Sequence, residues 1–139
     1  MLKWVGLNRQ KCLVKKTLKI LVIDDNLLFL EVLVELLEMS GFQSIGAPTG
    51  ALGLRLAENH KPDVIVCDIN MPELNGFGVL KKLRENPTTA NIPFIFITAQ
   101  PVDKAYSLVQ EMGAKGYLTK PFLPQELIEI IETITPPIR

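Results

Sequence analysis

Five short apolar runs alternate with longer stretches in which apolar residues recur every three or four positions, and this alternation sets the plan of the chain. Leu18 to Ile23, Phe42 to Ala47, Val64 to Cys67, Ile92 to Ile97 and Gly116 to Thr119 are short and mostly rich in β-branched or aromatic residues, so they predict strands. The third run is the most continuous. Val64, Ile65, Val66 and Cys67 stop on Asp68, with Pro62 before and Pro72 and Gly76 after, the pattern of a strand buried on both faces. Between the runs, the spacing predicts helices over Leu27 to Met39, Thr49 to about Asn59, Gly78 to Asn86, Val102 to Met112 and Pro121 to Ile134. Punctuation supports these limits: Asn26 is suited to an N-cap, Gly41 to a left-handed C-terminal stop, Asn86-Pro87 to ending the third helix, and Gly113 to closing the fourth.

Five strand-then-helix repeats with short connections imply right-handed parallel crossovers and an α/β, doubly wound sheet with helices on both faces. The expected strand order is the flavodoxin-like 2-1-3-4-5, which sets the first and third strands side by side at the point where the winding reverses. The first helix is unusually apolar. Leu27, Leu30, Val34 and Leu37 supply a core stripe, while Leu28, Phe29, Val32, Leu33 and Leu36 spread apolar surface around most of its circumference, either as a wide core face or as a docking face. In the third helix, Lys81, Lys82 and Arg84 are expected on a solvated side.

With 139 residues, 47% hydrophobic and 22% charged, the chain has room for one ordinary domain. Residues 18–139 are expected to form it, with 1–17 as a basic, flexible N-terminal extension. The net charge of zero hides an uneven distribution: residues 1–19 carry six bases and no acid, and the rest carries nine bases against fifteen acids. Six bases with a single aromatic, Trp4, make a thin case for nucleic-acid binding, and none is expected. Cys12 and Cys67 are poorly placed for a disulfide, which fits a cytoplasmic setting. Glu31, Glu35 and Glu38 break the longest apolar stretch, so no membrane span or membrane association is expected.

Four of the five strands end on a polar residue: Asp24 and Asp25, Asp68, Thr98, and Lys120. In a parallel sheet those ends share one edge, where open α/β sheets place their chemistry. Carboxylates gathered there repel by about 4 kcal/mol per pair near 4 Å at an effective dielectric of about 20. Such a cluster holds protons or recruits a hard, oxygen-seeking divalent cation, Mg²⁺ or Mn²⁺. There is no Gly-rich phosphate loop, and the one histidine, His60, sits at a helix end without an evident Ser or Cys partner. A carboxylate beside a divalent cation, with the Thr98 hydroxyl and the Lys120 ammonium converging on the same space, is suited to accepting a phosphoryl group.

These motifs resemble those of a response-regulator receiver domain of two-component signalling, similar to stand-alone chemotaxis-type regulators, over Leu18 to about Thr133. The resemblance rests on Asp24-Asp25, on Asp68-Ile69-Asn70-Met71-Pro72 with Gly76, on Thr98-Ala99, and on Tyr117-Leu118-Thr119-Lys120-Pro121-Phe122. It implies that Asp68 is the phosphoacceptor, and that Asp24, Asp25, Asp68 and the Asn70 carbonyl hold Mg²⁺, Asp24 directly or through water. It further implies that Thr98 and Lys120 contact the phosphoryl oxygens, that the Lys120-Pro121 bond is cis, and that Tyr117 turns inward when Thr98 is drawn to the phosphoryl group. Asn70 and Gln100 would flank the approach of a hydrolytic water and set the phosphoryl lifetime. The implied partners are a histidine kinase or histidine phosphotransfer protein and a downstream protein, the chain itself being a monomer or a weak phosphorylation-dependent dimer. On this reading it is a switch without an attached output domain, not an enzyme with a separate substrate. The alternative is a Mg²⁺-dependent phosphatase or phosphotransferase using an aspartyl-phosphate. Such enzymes generally place a second acid two residues after the nucleophile, and here that position is Asn70.

Overall fold

A computed structural model describes residues 17–99 and 103–135. In chain order the elements are β1 (Lys19–Ile23), α1 (Leu27–Met39), β2 (Gln43–Ala47), α2 (Gly50–His60), β3 (Val64–Asp68), α3 (Gly76–Glu85), β4 (Phe94–Thr98), α4 (Asp103–Glu111), β5 (Gly116–Thr119) and α5 (Pro124–Ile134). The strands pair in parallel in the order β2-β1-β3-β4-β5, as the sequence pattern implies.

The alternation of side chains along each strand divides the core in two. Leu21, Ile23, Ile65, Cys67, Phe94 and Phe96 pack with Ala57, Val79, Leu80, Leu83 and Val109, so α2, α3 and α4 cover one face. Ile20, Val22, Val64, Val66, Ile95 and Ile97 pack with Leu30, Leu33, Leu37, Leu127 and Ile131, so α1 and α5 cover the other. All five residues of β3 are buried, which explains why its sequence reads as an unbroken apolar run rather than an alternating one.

Local signals fix most helix ends. The side chains of Asn26 and Thr49 accept the backbone N–H groups of Phe29 and Leu52, each at 3.1 Å. Gly41 and Gly113 take positive φ, as expected of helix stops. Two helix starts differ by two or more residues from the sequence expectation. Helix α3 begins at Gly76 instead of Gly78, because Asn75 serves as its cap and accepts the Gly78 N–H at 2.9 Å. Helix α5 begins at Pro124, not Pro121, with Pro124 in the first turn and Glu126 reaching back to the Leu123 N–H at 2.8 Å.

Two side-chain expectations are also corrected. Leu27 is 62% exposed and not part of the core stripe, which Leu30, Leu33 and Leu37 supply. With Leu28 at 72% and Val32 at 47%, it leaves an apolar face on α1 toward solvent. Lys81 and Lys82 are exposed, but Arg84 is half-buried and donates to the carbonyls of Ile92 at 3.0 Å and Gly113 at 3.4 Å. Its guanidinium fastens the end of α3 to the loops on either side of β4 and α4, and burial lowers its pKa from the usual value. Cys67 is a free, buried thiol, and Cys12 lies outside the described residues. Among the described residues no helix is long and apolar enough to cross a membrane.

Candidate functional site

The site grows from the register of the central strands. Ile23 of β1 pairs with Cys67 of β3, so the next residues, Asp24 and Asp68, leave the sheet side by side. Asp68 in turn pairs with Ile97 of β4, and Thr98 pairs with Thr119, the residue before Lys120. Backbone bonds carry the ladder beyond the strands: Asp24 N–H donates to Ala47 O at 3.0 Å, Ile69 N–H to Ile97 O at 3.1 Å, and Lys120 N–H to Thr98 O at 2.7 Å. The site is therefore mounted on paired, hydrogen-bonded strand ends.

Gly76 is required by this arrangement. A Cβ there would lie 2.4 Å from the Asp68 carbonyl oxygen and 2.9 Å from Ile69 Cα, so only glycine lets α3 start directly against the end of β3. Between them, Ile69-Asn70-Met71 leaves the strand with Ile69 and Met71 buried and Asn70 exposed.

Asp24, Asp25 and Asp68 each present a carboxylate oxygen, and these oxygens lie within 4.8 Å of one another. Asp24 is fully buried, Asp68 is nearly so, and Asp25 is exposed, so the cluster opens to solvent on one side. Asp24 is held by the Asn26 N–H, which donates to Oδ1 at 2.9 Å, and by the Lys120 ammonium, 2.7 Å from Oδ2. The same ammonium is 3.8 Å from Asp68 Oδ2. Burial, followed by the charge of Asp24, raises the Asp68 pKa from 3.8 to about 6, with Asp25 adding and Lys120 and the Ile69 N–H opposing. At neutral pH Asp68 is thus largely ionised yet more basic than an ordinary carboxylate.

Thr98 is buried at the end of β4. Tyr117 is half-buried on β5, packed against the cluster of Phe94 and Phe96, with burial raising its phenol pKa and a hydrogen bond to the Thr119 side chain opposing that rise. The Lys120-Pro121 bond is cis. Of the residues singled out in the sequence, Asp24, Asp25, Asp68 and Lys120 come together directly, and Thr98 ends the strand between Asp68 and Lys120. Gln100 lies outside the described residues.

Two aromatic residues at this edge were not singled out for the site. The Lys120 Nζ lies over the ring of Phe29, 4.2 Å from its centroid. Phe29 meets Phe122 edge to face, with centroids 6.0 Å apart and planes at 82°. The available signals were positional: Phe29 falls in the first turn of the helix that follows Asp25, and Phe122 comes two residues after Lys120.

The donor set is all oxygen and carries three formal negative charges against one ammonium, a combination suited to a hard divalent cation. Asp24 reaches such a cation only by sharing its carboxylate with Lys120, since Oδ1 and Oδ2 already accept from Asn26 and Lys120.

Comparison with known proteins agrees with the geometry. The family model described as "Response regulator receiver domain" matches residues 20–132. Protein PilH of Pseudomonas aeruginosa is 37% identical over 118 residues, covering 84% of this chain and 96% of that protein. Other relatives are longer: the chain spans about half the length (52%) of the probable transcriptional regulator ycf29 of Pyropia yezoensis, to which it is 36% identical. Among solved structures, chemotaxis protein CheY4 of Vibrio cholerae superposes with a TM-score of 0.81 at 27% identity, covering 86% of this chain and 99% of that one. The receiver domain of a Pseudomonas aeruginosa sensor histidine kinase, solved with a magnesium ion coordinated in its active-site cleft, superposes with a TM-score of 0.76 at 26% identity, covering 85% and 97%. With the family model covering most of the domain and the acidic cluster standing at the end of β3, the chain belongs to the response regulator receiver domains of two-component systems.

Proposed function

We propose that this chain is a phosphorylation-dependent switch in which Asp68 accepts a phosphoryl group from a histidine on a partner kinase or phosphotransfer protein. The observation that carries the reading is the meeting of Asp68 with Asp24, Asp25 and Lys120 at the ends of three strands. In the transfer, an Asp68 carboxylate oxygen forms a bond to phosphorus as the bond from phosphorus to the donor histidine nitrogen breaks. Asp68 must be ionised to attack, and a pKa of about 6 leaves it so at neutral pH while keeping its oxygen more basic than in water.

Asp24, Asp25, Asp68 and the Asn70 carbonyl would hold Mg²⁺, which when bound offsets charge on the phosphoryl oxygens. Lys120, 3.8 Å from Asp68, is near enough to turn from Asp24 toward a phosphoryl oxygen, and Thr98 would donate its hydroxyl to another. Movement of Thr98 would let Tyr117 turn further inward, changing the surface between α4, β5 and α5. That surface is a groove of about 520 Å³ lined by Val109, Tyr117, Glu126, Glu129 and Ile130 among others, and it is where a downstream protein would read the state. Asn70 and Gln100 would tune how long the phosphoryl group survives. The exposed apolar face of α1, which begins beside Asp25, is suited to the phosphodonor protein.

The test is acid-labile labelling of the full chain by a small phosphodonor, with and without Mg²⁺, compared with Asp68→Asn. Labelling that requires Mg²⁺ and disappears in Asp68→Asn is expected; undiminished labelling of Asp68→Asn would overturn the assignment. Sustained turnover of small phosphate esters would instead favour the phosphatase alternative.

A further inference from the structure

We propose that Phe29 is a positioning residue for Lys120: its ring face is a seat on which the ammonium pivots between Asp24 and the phosphoryl group on Asp68. The inference rests on the phosphoacceptor reading above and adds to it a residue with no polar atom. Three neighbours surround the Lys120 Nζ in this structure. Asp24 Oδ2 is 2.7 Å away, Asp68 Oδ2 is 3.8 Å away, and the centroid of the Phe29 ring is 4.2 Å away. The two carboxylates attract the ammonium along fixed directions set by their lone pairs. A ring face attracts the same charge through its quadrupole, and this attraction counts for most once the ammonium has left Asp24 and its alternative is solvent.

The seat is itself fixed. Phe29 lies within the first turn of α1, its N–H bound to the Asn26 cap at 3.1 Å, and Asn26 also donates to Asp24. Phe122 closes against it edge to face and belongs to the same short segment as Lys120. Asp24, Asn26, Phe29, Lys120 and Phe122 therefore form one connected unit at the end of β1. Its consequence is that Lys120 is kept within the site when its bond to Asp24 lengthens, instead of being released to solvent.

The experiment replaces Phe29 in the full chain with mono-, di- and trifluorophenylalanine, which keep the ring's shape while progressively weakening the negative potential of its face. Mg²⁺-dependent labelling of Asp68 by acetyl phosphate should slow stepwise along the series, by roughly three- to tenfold overall given the usual strength of a partly desolvated cation–π contact. Phe29→Leu should match the slow end and Phe29→Trp should restore the rate. In the metal-free protein, the Lys120 ε-methylene protons should show an upfield ring-current shift that Phe29→Leu abolishes. A flat rate across the fluorinated series, or no such shift in the wild type, overturns the proposal while leaving the phosphoacceptor reading standing. A wild type that takes no label overturns both.

Discussion

Replacing Asp68 with Asn should make the metal-free protein more stable at neutral pH, although it removes the residue at the centre of the site. The folded state raises the Asp68 pKa from 3.8 to about 6, first through burial and then through the charge of Asp24, at a site that opens to solvent on one side. Between those two values the folded protein binds a proton that the unfolded chain has lost, so stability falls as pH rises through this window and levels off above about pH 6. At about 1.36 kcal/mol per pKa unit, the charge on Asp68 then costs up to about 3 kcal/mol, less what solvent on the open side of the site screens. Asn resembles the protonated acid and carries no such cost. For a domain of this size the difference corresponds to a rise in Tm on the order of 10 °C. Thermal or urea unfolding in EDTA, at a series of pH values from about 4 to 8, should show wild type and Asp68→Asn nearly equal at the acid end and separating as pH rises. Adding Mg²⁺ should raise the wild type toward the variant, since ligand binding stabilises only the state that binds. An Asp68→Asn protein no more stable than wild type at pH 8 in EDTA, or a difference that does not shrink toward pH 4, would refute the claim that repulsion and burial strain this carboxylate.

Three further outcomes are expected. Gly76→Ala should destabilise the fold by roughly 1–3 kcal/mol through the clash with the Asp68 carbonyl, and lower the rate of Asp68 labelling in the fraction that remains folded. Urea unfolding and labelling together check both parts. Ser44→Ala should stabilise by about 1 kcal/mol, because the buried Ser44 Oγ on β2 has no hydrogen-bond partner and alanine removes a desolvated hydroxyl; a lower unfolding midpoint would contradict this. Lys120→Gln removes a cation that lowers the Asp68 pKa, so that pKa should move further above about 6, as read by carboxyl-carbon NMR titration.

Much of the fold could be read from the chain because its strands are buried on both faces. Val64 to Cys67 and Phe94 to Ile97 leave no room for ambiguity with an amphipathic helix, and the Asn26, Thr49, Gly41 and Gly113 signals fall where the elements change. The two displaced helix starts had visible signals of their own. Asn75 and Pro124 are as good as any caps in the chain, but Gly78 and Pro121 lay next to them and sequence alone ranks such neighbours poorly. Arg84 departs from expectation for a different reason. Its helical position lies near Leu80 and Leu83 at the edge of the apolar face, and whether a long side chain there meets solvent or backbone carbonyls depends on Ile92 and Gly113, which lie outside its helix. Leu27 differs in the opposite sense: it has the spacing of a core residue, but it is the first residue of α1 and is 62% exposed.

The site shows the same division between position and pairing. Strand ends in a parallel sheet place Asp24, Asp68, Thr98 and Lys120 at one edge regardless of side-chain detail, so their convergence is legible from the alternation of strands and helices. Which carboxylate takes the lysine is not, because Lys120 has a flexible stem long enough to reach either. The structure resolves that choice in favour of Asp24, at 2.7 Å against 3.8 Å for Asp68. The consequence is chemical. With the ammonium committed to the fully buried Asp24, Asp68 is left with the more distant positive charge to oppose the effects of burial and of the Asp24 charge, which raise its pKa to about 6. Had Lys120 paired tightly with Asp68, its positive charge would make that carboxylate less basic, and so a poorer nucleophile for the proposed transfer. Pairing with Asp24 keeps both groups available. The four side chains sum to two negative charges, the charge a divalent cation would balance, and the lysine stands 3.8 Å from the Asp68 oxygen that would react under the proposed function.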